Sequence, residues 1–155
     1  MTIRQKLSYK KNLHQHCISI LQQRIDATMQ AIQNAQVAAN SEEKSSAGDK
    51  YETSRAMSHL EKDMHARQFA ANQQELAALL AVDCSKLYTA VATGSIVVCN
   101  SLSFFIAAGL GKITFQEVVI YLLSPHAPVA KLLLHKVAGN SITFNNKELL
   151  IEAVF

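Results

Sequence analysis

Apolar and small residues recur at alternating spacings of three and four along Ile18, Leu21, Ile25, Thr28, Ile32, Ala35 and Ala39, which is the seam of a helix that packs against another helix. No Gly or Pro interrupts the stretch from about Gln5 to Asn40. A second stretch without breakers runs from about Lys50 to Val82, with a weaker stripe of Met57, Leu60, Met64 and Ala71 interrupted by Arg67. Narrow stripes of this kind need a partner to bury them. The polar segment Ser41–Gly48 between them is turn-forming, and Gly48 tolerates a left-handed backbone. The pattern predicts an antiparallel helical hairpin, a coiled coil with its tip near residues 41–53. At about 1.5 Å per residue its arm would be roughly 50 Å long.

Beyond about Thr93 the period changes to short runs rich in Ile, Val and Phe: Ser95 to Cys99, Phe104 to Ala108, Glu117 to Leu123, Ser141 to Phe144 and Glu148 to Val154. These predict strands. Gly109 and Gly111, the loop from Ser124 to Pro128, Gly139-Asn140 and Asn145-Asn146 punctuate them, the last pair as a hairpin turn. Pro128 to Lys136 predicts a short helix with Pro in its first turn and Val129, Leu132 and Leu133 toward the sheet. The expected fold class is α+β: a hairpin over 1–90, then a small domain with an antiparallel sheet over 91–155, joined near Asp83 to Gly94.

Composition narrows the function classes. With 155 residues, 49% hydrophobic and 17% charged, the chain is long enough to fold but not to build two large cores. Only 6% of residues are aromatic and Trp is absent, so a base-stacking surface is not expected. A net charge of +3 is too weak a bias for direct, specific DNA binding. Met1 to Asn12 has no apolar signal core and no apolar run reaches membrane-spanning length, so a cytoplasmic protein with no membrane partner is expected. Cys17, Cys84 and Cys99 are odd in number and far apart, as reduced packing thiols would be.

Two segments then resemble one family. Gly48-Asp49-Lys50-Tyr51-Glu52 at the hairpin tip is similar to the Gly-Asp-x-x-Glu tip of the bacterial Gre transcript-cleavage factors. Downstream, Ser124-Pro125, then Ala130 to Lys136, then Gly139 resembles the Ser-Pro, Ala-Leu-Leu-Gly-Lys and Gly-Asp signature of the same family. Thr53 stands where the tip commonly has Asn, His135 where Gly is usual, and Asn140 where Asp is usual. The resemblance implies a shortened Gre-like paralogue whose second half is FKBP-like, acting as a monomeric transcription elongation factor on RNA polymerase and not as an enzyme in itself. It implies that the hairpin enters the polymerase secondary channel, that Asp49 and Glu52 act there in trans on catalysis, and that they hold a Mg²⁺ shared with the polymerase. It implies no cofactor bound by the chain alone. Gly48, Lys50, Tyr51, Ser124 and Pro125 become the partner-binding candidates.

The residue types suit that chemistry. Mg²⁺ takes oxygen ligands in octahedral geometry and keeps waters, so one or two carboxylates can complete a site built elsewhere. Three residues apart on a helix, Asp49 and Glu52 share one face. The same spacing also makes a capping box, Asp at the N-cap and Glu at N3, with no chemistry beyond satisfying free amides. A channel-occupying regulator that does not stimulate cleavage, and a structural coiled-coil adaptor, are the alternative functions. His14, His16 and Cys17 lie on different sides of a helix, and His59 and His65 are six apart; neither group converges on a metal. Met57 and Met64 read as interhelical packing, and Arg4, Lys10 and Lys11 as a solvated basic end. Phe104, Phe105, Phe115 and Tyr121 read as core, too few for the aromatic pocket of a prolyl isomerase.

Overall fold

The computed structural model describes residues 1–44 and 48–155, with side chains described for 1–41 and 52–155. Two long helices, α1 (Ile3–Lys44) and α2 (Gly48–Leu80), precede β1 (Ile96–Cys99), β2 (Ser103–Ile106), β3 (Gly111–Phe115), β4 (Val118–Leu123), α3 (Pro128–Leu133), β5 (Ser141–Phe144) and β6 (Lys147–Val154). The α+β class is as the sequence predicts. None of the described helices is long and apolar enough to cross a membrane. The chain divides into two compact units, Met1–Ser19 with Glu75–Phe155, and Ile20–Gln74.

In the Ile20–Gln74 unit the two helices run antiparallel: Lys62 Nζ donates to Gln36 Oε1 at 2.6 Å, while Thr28 and Ala71 line one shared groove. The seam of α1 follows the periodicity, with Leu21, Ile25, Ala35 and Ala39 buried. That of α2 does not. Met57, Leu60 and Met64 are 66%, 69% and 51% exposed, whereas Ser54, Ser58, Lys62, His65, Phe69 and Asn72 are the half-covered positions. The methionines therefore do not pack between the helices. The inward stripe of α2 has the heptad spacing but mostly polar residues, so apolar periodicity points to the wrong face.

The other unit holds a six-stranded sheet of order β3-β4-β2-β1-β6-β5. Its neighbours are antiparallel except β2 and β4, which run parallel from Ser103 opposite Ile120 to Ile106 opposite Leu123. The sheet is therefore mixed, where antiparallel pairing throughout was expected. The cause is β3, an edge strand absent from the sequence reading, where Gly109 and Gly111 looked like punctuation only. The chain leaves β2, forms β3 at the edge, and turns back as β4 into the gap beside β2. Gln116 and Glu117 make that turn with φ of 49° and 64°, a conformation usually signalled by Asn or Gly. Asn145 and Asn146, at 49° and 61°, turn β5 into β6 as predicted.

Alternation along β2 sends Phe104 and Ile106 to one face, into a cluster with Val97, Ala130, Leu133 and Ile151, and Phe105 to the other. Both faces are covered, which is why all four residues of β2 are buried. The second face meets the start of α1. Tyr9 packs edge-on against Phe115 and Phe155 at 5.5 and 6.3 Å between ring centroids, His16 lies 5.2 Å from Phe115, and Lys6 Nζ stands 5.6 Å over Phe155. Residues 1–19 thus belong to the sheet unit, and Lys10 is not part of a solvated end: it is fully buried. Its Nζ donates to Lys86 O at 2.8 Å and stands 4.5 Å over the Tyr88 ring, which gives a buried ammonium the acceptor and the π face it needs.

Candidate hairpin site

The tip candidates sit where α1 ends and α2 begins. The backbone of residues 48–51 is helical, so α2 already includes Gly48. Asp49 therefore occupies the first turn instead of preceding it, and Asp49 and Glu52 do not stand at the N-cap and N3 positions of a capping box. They lie three residues apart within the backbone of α2. A carboxylate here is also favoured by the positive end of the helix dipole. The Glu52 side chain is exposed. The side chains of Asp49, Gly48, Lys50 and Tyr51 lie outside the described residues.

Two oxygen-donor side chains cannot close an octahedral shell, so the donor set suits a Mg²⁺ whose other ligands come from a partner. Among the described residues no group of three or more His, Cys, Asp or Glu side chains is arranged to hold a metal. His14, one of the residues weighed for a metal, is instead tied to structure: its Nε2 lies 2.6 Å from Leu79 O. A carbonyl can only accept, so Nε2 carries the proton.

The downstream signature residues each have a structural setting. Ser124 and Pro125 are half-buried in the turn between β4 and α3, where Ala127 N donates to Ser124 O at 3.0 Å and His126 N to Ser124 Oγ at 3.2 Å. Ala130 and Leu133 are buried in the core cluster. His135 has φ of 68°, a left-handed backbone that a glycine adopts without strain, which gives a physical reason for Gly at the equivalent place in the signature. Its N–H is held by Val91 O at 2.9 Å. Gly139 has φ of 94°, and Asn140 Oδ1 accepts from Val137 N at 2.9 Å, a role that an aspartate could also fill.

Sequence reasoning passed over a second cluster of chemistry-bearing residues. Arg4, Ser8, Lys11 and His14 line one face of α1 opposite Val82, Cys84 and Ser85, around a cavity of about 600 Å³. Read as a basic end the residues had no visible relation to the segment after α2, which lies about seventy residues away in sequence.

No family model and no curated protein matches the chain. A solved structure titled "Structure of the transcription factor Gfh1" is similar over 88% of this chain and 92% of its own, with 16% identity and a TM-score of 0.37.

Proposed function

We propose that this chain is an accessory factor of RNA polymerase that enters the secondary channel and delivers Asp49 and Glu52 to the active centre, where they promote cleavage of backtracked RNA. The observation that carries this reading is the Gly48-Asp49-Lys50-Tyr51-Glu52 motif at the junction of two antiparallel helices, with Asp49 and Glu52 three residues apart at the start of α2. The start of α2 carries the two carboxylates in this reading; the rest of the chain binds and aligns. A second Mg²⁺, when held in the complex, supplies water activation and charge stabilisation for phosphodiester hydrolysis. Asp49 and Glu52 contribute oxygen ligands there and orient the site, and the nucleic acid and remaining ligands belong to the polymerase. Gly48, Lys50 and Tyr51 flank the carboxylates at the channel end, and the Ser124-Pro125 turn sits in the docking half.

The test is RNA cleavage in stalled, backtracked elongation complexes. Wild type is expected to raise the cleavage rate at least about tenfold, and Asp49→Ala with Glu52→Ala to remove that gain while polymerase binding persists; a lost ligand typically costs one to two orders of magnitude. Equal stimulation by both proteins would overturn the role of the carboxylates. Binding without stimulation by wild type would make the chain a non-cleaving channel regulator, and self-association without polymerase binding would make it an adaptor.

A further inference from the structure

The cavity beside the start of α1 is lined by two cations with no carboxylate among its lining residues. Arg4 and Lys11 are two helical turns apart, on one face, both exposed, and neither forms an ion pair with a described acidic residue. The nearest acid of the facing segment, Asp83, is engaged elsewhere. Its Oδ1 accepts from Ser85 N at 2.9 Å and Ser85 Oγ at 2.5 Å, and its Oδ2 lies 3.9 Å from Lys86 Nζ. Leu7 and Val82 add an apolar floor, and Ser8 adds a hydroxyl.

The walls are fixed before any ligand arrives. Two side chains of α1 staple the facing segment: His14 through Leu79 O and Lys10 through Lys86 O. The Asp83–Ser85 turn closes the segment between those two points. A preformed concavity of this volume, part apolar and with a few convergent polar groups, has the character of a small-molecule site. Guanidinium and ammonium groups without an acidic partner among the described residues select an anion, and the fork of an arginine suits phosphate oxygens.

We propose that this cavity binds a small phosphorylated molecule, its phosphate held between Arg4 and Lys11 and its apolar body against Leu7 and Val82. Two positive charges match one phosphate dianion. A nucleic-acid backbone is disfavoured because the chain's net charge is only +3 and longer tracts of cations are needed to follow a polyanion. The site stands independently of Asp49 and Glu52, since its residues lie outside Ile20–Gln74.

Phenyl phosphate is the probe, titrated into the full chain by calorimetry, with phenol, inorganic phosphate and a single-stranded RNA 12-mer as comparison ligands. One saturable site is expected, with Arg4→Gln and Lys11→Gln each weakening it about tenfold and Ser8→Glu abolishing it by placing a carboxylate in the cavity. Inorganic phosphate is expected to bind more weakly and phenol not at all. All three substitutions are at exposed helical positions, and unchanged melting temperatures would show that the fold persists. Alkylation of Cys84, the one half-exposed thiol beside buried Cys17 and Cys99, is expected to slow at saturating ligand. Absence of saturable binding below about 10 mM, equal affinity in the Arg4→Gln/Lys11→Gln double variant, or equal binding of phenol would overturn the proposal. Displacement of phenyl phosphate by RNA of at least about hundredfold higher affinity would overturn it in favour of a polyanion.

Discussion

Lys10 shows how far one residue's role can depart from its type. Flanked by polar and basic neighbours it looks like a solvated side chain, yet it crosses the interior to reach Lys86 O and the Tyr88 ring. Burial pulls its ammonium down to about 8, against the opposing influence of Cys84 and Asp83. The folded value is below the ordinary 10.5, so between these limits the unfolded chain binds more protons and stability rises with pH. Lys10→Met removes that titration. From about pH 7 to 9 the wild type is expected to gain about 1 kcal/mol relative to Lys10→Met in denaturant unfolding, and a constant difference would exclude the effect. The comparison cancels Cys17, whose thiol is pushed up to about 12 by burial and then by Cys84; that shift acts oppositely, costing stability as pH rises past the ordinary thiol value.

At the scale of elements, both long helices were legible, but of their seams only that of α1 was. The α1 seam coincides with its apolar period because Leu21, Ile25, Ala35 and Ala39 are both apolar and buried. In α2 the period was correct for a heptad but its large apolar residues lie on the exposed face, with Lys62 and His65 inward. Replacing Met57, Leu60 or Met64 by Gln is accordingly expected to change stability by less than about 0.5 kcal/mol each. Leu21→Ala or Ile25→Ala is expected to cost about 2–4 kcal/mol. Chemical denaturation of the single variants distinguishes these outcomes; a loss above about 1 kcal/mol at Met57 or Met64 would place them in the seam after all. Five strands were visible as apolar runs. The sixth, β3, buries Ile113 alone among its five residues, and its return turn uses Gln116 and Glu117, so neither periodicity nor turn chemistry announced it.

For the whole molecule, the residues proposed for chemistry at the start of α2 were visible as a motif, whereas the cationic cavity was not. It joins helix positions 4–15 to the segment 82–85, and spacing within one helix reveals nothing of a distant wall. The same non-local closure governs the sheet unit. Phe115 and Phe155 are covered by Tyr9, so a fragment of residues 91–155 lacks part of its core. It is expected to lose at least about 3 kcal/mol relative to the full chain, seen as a poorly dispersed amide spectrum; a well-dispersed spectrum with full-chain stability would show that residues 91–155 are self-sufficient.

That closure also imposes an order on biosynthesis. Residues 20–74 are contiguous, so their two helices can pair as soon as both have left the ribosome. The opening turns of α1 must wait. Backbone bonds between Ile96 and Phe155 join β1 to the residue following β6, and the aromatic partners of Tyr9 complete only when Phe155 emerges. At about 5–20 residues per second, Tyr9 waits on the order of ten seconds for Phe155. During nascent growth residues 1–19, made before every strand they pack with, are therefore secured late, and a chaperone that shields them would act on this interval alone.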